Sequence, residues 1–176
     1  LQKKLAQFTY NASSHIITVT AGCQKIIAEY LQDKSRVSVL RNGFDEELYT
    51  QKGQKRPVFT CVFHGNLGLM QNIKLLKEVI EKTFTRDPKI QFVVAGSGPQ
   101  EHLLQTVRTT NFQFFGELRQ SEIPAKIMSC HLGLSFRNDG GYSDIAFPVK
   151  VYEYIGAELP TITTPVSEAV LELRDN

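Results

Sequence analysis

Apolar positions in this chain change their spacing repeatedly, and each change marks an element. In residues 1–10, Leu1, Leu5 and Phe8 recur at helical intervals, and after a polar break at 11–14 residues 15–20 read as a short strand. Residues 21–31 return to helical period through Ile26, Ile27 and Tyr30, and Val37, Ser38 and Val39 alternate in a strand over 36–40 before the turn pair Asn42 and Gly43. Together these segments predict a β-α-β unit. Residues 45–56 are polar, carry Gly53 and run up to Pro57, which disfavours helix in its predecessor, so they are expected to form a linker.

From residue 58 the alternation is regular. A β-rich run over 58–64 meets the turn Gly65, Asn66, Leu67, Gly68, and Ile73, Leu76 and Ile80, with Leu75 and Val79 beside them, mark an amphipathic helix. Strand 89–95, glycine turn 96–99 and helix 100–109 repeat the unit, followed by strand 112–115, helix 121–129 and strand 131–136. A glycine-rich loop at 138–141 leads to a helix over 147–157, whose first turn suits Pro148 because the missing N–H costs nothing there, and strand 161–163 follows. Helices alternating with short β-branched strands imply right-handed crossovers and a parallel sheet covered on both faces. The predicted fold is therefore α/β, a Rossmann-like doubly wound parallel sheet preceded by the terminal β-α-β piece. In such sheets ligands gather beyond the carboxyl ends of the strands, where the glycine turns fall.

Composition narrows the classes. With 41% hydrophobic and 22% charged residues, the chain has the profile of a globular protein that can fill a core. A formal charge of +2, with no basic run interleaved with aromatics, gives no sign of a nucleic-acid surface. The three cysteines, Cys23, Cys61 and Cys130, lack C-x-x-C spacing and are expected to be buried thiols in a reducing compartment. No run of about 18 apolar residues and no charged-then-apolar leader is present. The chain opens on Leu1 and its methionines are Met70 and Met128, so it reads as an excised piece. After Pro165 only residues 166–176 remain, from which we expect a domain truncated at its C-terminus, with exposed apolar surface or a homodimer as the result.

Several constellations could carry chemistry. Gly65 to Gly68 fits a phosphate-approaching turn, although tight β-to-α turns need permissive residues with or without a ligand. Gly96, Ser97 and Gly98 resemble the start of a dinucleotide fingerprint, but Glu101 holds the third glycine position and would face a pyrophosphate. His15, His64, His102 and His131 form no pair at metal-ligand spacing. His64 differs from the others, because it precedes the glycine turn at a strand's carboxyl end. Lys150 and Glu153 stand three apart behind Pro148, on one helical face, which an intrahelical ion pair would also explain.

The stretch from Phe147 through Pro148, Lys150, Glu153 and Tyr154 to Gly156, Pro160 and Thr161 is similar to the sugar-nucleotide signature of the retaining GT-B glycosyltransferases, the group 1 or family 4 type that includes sucrose synthases and bacterial mannosyl and capsule-sugar transferases. The turn from Asn42 to Asp45 resembles that family's crossover between domains. Gly65 to Gly68, Val93 to Pro99, and Phe115 with Gly116 resemble its successive donor-domain strand ends. The resemblance implies that residues 1–44 end an acceptor domain, 45–56 link, and 57–176 bind the donor.

The resemblance further implies binding of a UDP- or GDP-sugar and transfer with retention to a saccharide or lipid-linked acceptor. It gives Lys150 and Glu153 the central roles, Glu153 accepting the ribose hydroxyls and Lys150 meeting the diphosphate. Donor-binding positions would be Gly65, Asn66, Gly68, Gln71, Gly98, Gly116, Gly141, Asp144, Phe147 and Pro148, with Lys74 and Arg137 as further candidate cations. No cofactor is implied and no metal is required. A cytoplasmic parent protein, touching the membrane peripherally, and inactivity of the fragment alone are also implied.

Two positions depart from the family pattern. Ile145 stands where a first glutamate is common, with Asp144 adjacent but out of register, and Asn66 and Gln71 stand where Arg and Lys are frequent. Those departures leave room for a non-catalytic donor-binding subunit or pseudoenzyme, and Gly96 to Gly98 for a dinucleotide-dependent oxidoreductase.

Overall fold

The computed structural model describes residues 2–50 and 54–165, and within them the chain divides into two compact units. One unit holds residues up to 42 together with 139–147, and the other holds 43–138 with 148–165. The expected terminal stretch 166–176 and residue Gly53 of the expected linker lie outside the described residues.

In the first unit, helix α1 (Gln2–Ala12) leads to strand β1 (Ile16–Thr18), helix α2 (Ala21–Ala28) and strand β2 (Val37–Val39). The strands are parallel, pairing Ile16 with Val37 and Thr18 with Val39, so the β-α-β unit predicted from the apolar spacing is present. Thr20 starts α2 by accepting the Cys23 N–H, the N-cap role that a Thr before an apolar-periodic run is suited to.

The second unit contains strand β3 (Thr60–His64), helix α3 (Ile73–Arg86), strand β4 (Gln91–Ala95), helix α4 (Glu101–Leu104) and strand β5 (Phe112–Phe114). Helix α5 (Ile123–Met128), strand β6 (Leu132–Ser135), helix α6 (Val149–Gly156) and strand β7 (Thr161–Thr163) complete it. Its five strands are all parallel in the order β5-β4-β3-β6-β7, the Rossmann-like arrangement expected from the sequence. The chain leaves β3 toward one edge and later returns to build the other from β6, so the switch in strand order lies between β3 and β6.

The strand pleat divides the core. Cys61 and Phe63 of β3 join Ile73, Leu76 and Ile80 of α3 on one face, while Val62 joins Ile127 of α5 and Tyr154 of α6 on the other. Tyr154 is fully buried, and its hydroxyl lies 3.2 Å from the Val62 carbonyl and 3.1 Å from the Leu134 carbonyl, fastening α6 to the two central strands. Gly133 of β6 makes this possible, since a Cβ there would come 2.5 Å from the Tyr154 ring.

Three elements differ from the sequence expectation. The helix expected over 100–109 closes after Leu104, and Val107 packs into the core from the irregular stretch that follows while the buried Asn111 amide donates to the Ile90 carbonyl, leading the chain into β5. Helix α6 begins at Val149, with Pro148 one step earlier in extended conformation as the N-cap. The polar stretch expected as linker contains a 3-10 turn, Glu46–Tyr49, started by Asp45 accepting the Glu47 N–H.

Phe44 packs its ring where a side chain on Gly156 would stand, since a Cβ at Gly156 would fall 2.4 Å from Phe44 Cδ2. Gly156→Ala is therefore expected to cost about 1–3 kcal/mol by overpacking, and much less when Phe44 is already alanine. Urea unfolding of the two single variants and the double variant measures this, and additive losses would rule out the contact as the cause.

Candidate functional site

The second unit gathers its polar chemistry where β3, β4 and β6 end. Gly65 follows β3 with φ +107°, and its N–H donates to the Ala95 carbonyl. Gly96 follows β4 with φ +143°, and a Cβ there would lie 1.9 Å from the Gly65 carbonyl oxygen. Only glycine permits this backbone-to-backbone approach. The Gly96 N–H in turn donates to the Gly116 carbonyl at 2.6 Å, tying the end of β5 into the same ridge.

Asn66 turns its amide between Gly68 and Gly98, where added Cβ atoms would lie 3.0 and 2.8 Å from it. Asn66 also borders a cavity of about 280 Å³ that is lined by Gly65, Asn66, Ala95, Gly96, Ser97, Glu117, Leu118 and Ile123. Ser97 and Glu117 are joined across it, with the Ser97 hydroxyl 3.3 Å from Glu117 Oε2.

Helix α6 supplies the charged groups. The Lys150 side chain passes Gly65, where its Cε would be 3.7 Å from an added Cβ, and ends over the Phe63 ring with Nζ 3.7 Å from the centroid. Nζ also donates to Gln71 Oε1 at 3.2 Å. Gln71 pairs with Arg137 across the switch between β3 and β6, and its carbonyl accepts from the side chains of Gln100 and Asn138. Burial, reinforced by the Arg137 charge, brings the Lys150 pKa down to about 7.

Glu153 turns the other way. Its Oε2 lies 3.2 Å from His64 Nε2, and its side chain is 25% exposed where that of His64 is 6% exposed. The spacing of Lys150 and Glu153 permits an intrahelical pair, but each side chain reaches a different strand-end neighbour instead. Burial holds the Glu153 carboxyl above its usual range against the opposing pull of Lys150. His64 is driven down to about 3, first by burial and then by the Lys150 charge, so it is neutral at physiological pH.

Glu153 does not line the 280 Å³ cavity. It borders a smaller hollow of about 140 Å³ with Gly43, Phe44, Asp45, Leu48, Tyr49, Gln120, Pro124 and Val149. Burial and the Glu153 charge push the Tyr49 hydroxyl well above its usual pKa, so Tyr49 remains a protonated donor beside the carboxylate.

Of the residues singled out from sequence, Gly65, Asn66, Gly68, Gln71, Gly98, Gly116, Pro148, Lys150 and Glu153 belong to this unit. Gly141, Asp144 and Phe147 belong to the other, where Asp144 Oδ1 accepts the Gly140 N–H. Lys74 is exposed on α3, whereas Arg137 is buried and close enough to act on Lys150. The remaining histidines have local partners: His15 meets Ser38, His102 the Pro99 carbonyl, and His131 the Thr60 N–H and the Phe59 ring. Phe63 and Tyr49 were not expected at the site. An aromatic two residues before the glycine loop, on the same strand end as His64, is the sequence signal that points to Phe63.

Residues 58–176 match the sequence profile described as glycosyl transferases group 1. Among curated proteins, the chain is 27% identical over 139 residues to the phosphatidylinositol N-acetylglucosaminyltransferase gpi3 subunit of Schizosaccharomyces pombe, covering 74% of this chain and 30% of that one. It is 35% identical over 66 residues to the GDP-mannose:cellobiosyl-diphosphopolyprenol alpha-mannosyltransferase of Xanthomonas campestris, covering 35% of this chain and 16% of that one. Among solved structures, HepE from Anabaena in complex with UDP and glucose superposes with a TM-score of 0.74 at 16% identity, over 99% of this chain and 50% of that one. The chain thus spans less than a third of the curated relatives it matches and half of that structure.

Proposed function

This chain belongs to the glycosyl transferases group 1 family, and we propose that it forms the donor-binding part of an enzyme that transfers a sugar from a nucleoside diphosphate with retention of configuration. The observation that carries this reading is the divergence of Lys150 and Glu153 from one turn of α6, one toward the glycine loop and the switch between β3 and β6, the other toward the hollow beside Tyr49.

Breaking the bond to the diphosphate builds negative charge on the leaving group, which calls for aimed cations and N–H groups. Lys150, Arg137 and the first turn of α6, whose dipole favours an anion, supply them without requiring a metal ion. The neutral Asn66 and Gln71 then have scaffolding roles, Asn66 filling the space between Gly68 and Gly98 and Gln71 holding Lys150. Glu153 accepts the ribose hydroxyls, and the 280 Å³ cavity beside Ser97 and Leu118 receives the base. The acceptor is lipid-linked in this reading, because two relatives are named for phosphatidylinositol and for a diphosphopolyprenol.

Melting shifts measured with UDP-, GDP- and ADP-sugars and with nicotinamide dinucleotides test the class of ligand. Stabilisation by a nucleoside diphosphate sugar, persisting in a chelator, is expected; stabilisation by the nicotinamide compounds alone would refute the assignment. Glu153→Gln should weaken nucleoside diphosphate binding by about 1.5–3 kcal/mol, the range for hydrogen bonds to a charged group. An unchanged calorimetric affinity in the folded variant would remove Glu153 from the ribose site.

A further inference from the structure

His64 is the buried group that the donor reading leaves unused. It closes β3 immediately before the glycine loop, its ring stands edge-on to Tyr154 with centroids 5.3 Å apart, and its Nε2 is shut off from solvent. Facing Nε2 at 3.2 Å is Glu153 Oε2. A neutral imidazole that turned a lone pair toward a carboxylate at this distance would be repelled, so the chemistry of the pair selects the tautomer with the proton on Nε2. The contact is nevertheless off-line, and Nε2 has no well-aligned hydrogen-bond partner. A buried donor left short of good geometry favours any small turn of the carboxylate that completes the bond.

We propose that His64 is a positioning residue that makes Glu153 selective for ribose over deoxyribose. Nε2–H takes one lone pair of Oε2, which fixes the carboxylate plane and leaves Oε1 and the outer lone pair of Oε2 directed at two vicinal hydroxyls. A nucleotide lacking the 2′-hydroxyl leaves one of these acceptors without a donor. Tyr154 restrains the ring and the backbone of β3 restrains its Cα, so the aim is set by the sheet and not by the nucleotide. This inference rests on the reading of Glu153 as the ribose contact.

The test compares calorimetric affinities of the chain for UDP and GDP with those for their 2′-deoxy counterparts. The unmodified chain should prefer the ribonucleotide at least tenfold, and Glu153→Gln should bring the preference close to one. His64→Leu, with Glu153 intact, should lower the preference at least fivefold while leaving affinity for the deoxynucleotide within twofold. His64→Gln, whose amide places an N–H near the position of Nε2, should restore it. If the leucine variant does not fold, His64→Asn, whose amide stops short of that position, is expected to give the same loss.

A preference surviving Glu153→Gln would defeat the ribose reading itself. A preference lost there but kept in His64→Leu or His64→Asn would overturn only the role of His64, as would equal weakening of both nucleotides. Nitrogen-15 NMR of the unliganded chain supplies a check independent of binding: the Nε2–H tautomer is expected for His64, and the Nδ1–H tautomer overturns the proposal.

Discussion

Lys150→Met should raise the stability of the second unit while lowering its affinity for a nucleoside diphosphate by about 1.5–3 kcal/mol, the range for contacts to a charged group. The ammonium lies over an aromatic ring, and its burial, reinforced by the Arg137 charge, brings its pKa from 10.5 to about 7. Methionine keeps the length of the stem and removes the desolvation cost. A gain of about 1–3 kcal/mol is expected at neutral pH, after subtracting the ring and amide contacts that are lost.

The pH dependence fixes the cause. Between pH 7 and 10.5 the unfolded chain binds a proton at Lys150 that the folded chain has released, so unmodified stability rises with pH by up to about 1.4 kcal/mol per unit. The advantage of the methionine variant is therefore greatest at and below pH 7 and fades toward pH 10.5. Thermal unfolding of both proteins across pH 6–10 is the measurement, and a constant difference would dismiss the buried charge as its origin. Diphosphate binding should run the other way, weakening as pH rises above 7, because the anion must recruit a proton to the amine before the pair can form.

The second large effect concerns the glycine ridge. Gly96→Ala combines a backbone at φ +143° with a Cβ placed 1.9 Å from the Gly65 carbonyl oxygen. Strain and overpacking together should cost about 3 kcal/mol or more, a fall of roughly 6–12 °C in melting temperature. Gly116→Ala is the matched comparison, since Gly116 has φ +65° and nothing within 4 Å of an added Cβ. It should lose only about 1–2 kcal/mol. Equal losses at the two positions would mean that conformation alone, and not the approach of β3 to β4, restricts Gly96.

How much of this could be read from sequence follows from the range of the interactions. β3, β4 and α3 were legible because their apolar periods are set by one neighbouring layer, and the glycine turns because their conformations are local. Lys150 and Glu153 became candidates through their resemblance to a family signature, and the structure brings one to the glycine loop and the other to the hollow beside Tyr49. The termination of α4 was not, because its next turn is replaced by the tertiary burial of Val107 and by the Asn111 bond to Ile90. The contact of His64 with Glu153 joins residues far apart in the chain, and that of Phe44 with Gly156 likewise. No period records such meetings. Gly133 did leave a trace, since a glycine inside a buried strand signals close approach, here by Tyr154.

The fastening of Tyr154 to the carbonyls of Val62 and Leu134 also governs the thermodynamics of capture. Lys150 and Glu153 lie within the same short helix and inherit its immobility, so the freedom of their backbone is surrendered during folding and is not lost again when a ligand arrives. Under the proposed function, recognition at this helix should therefore proceed with little conformational entropy loss, the helix acting as a preformed template to which the nucleotide must adapt.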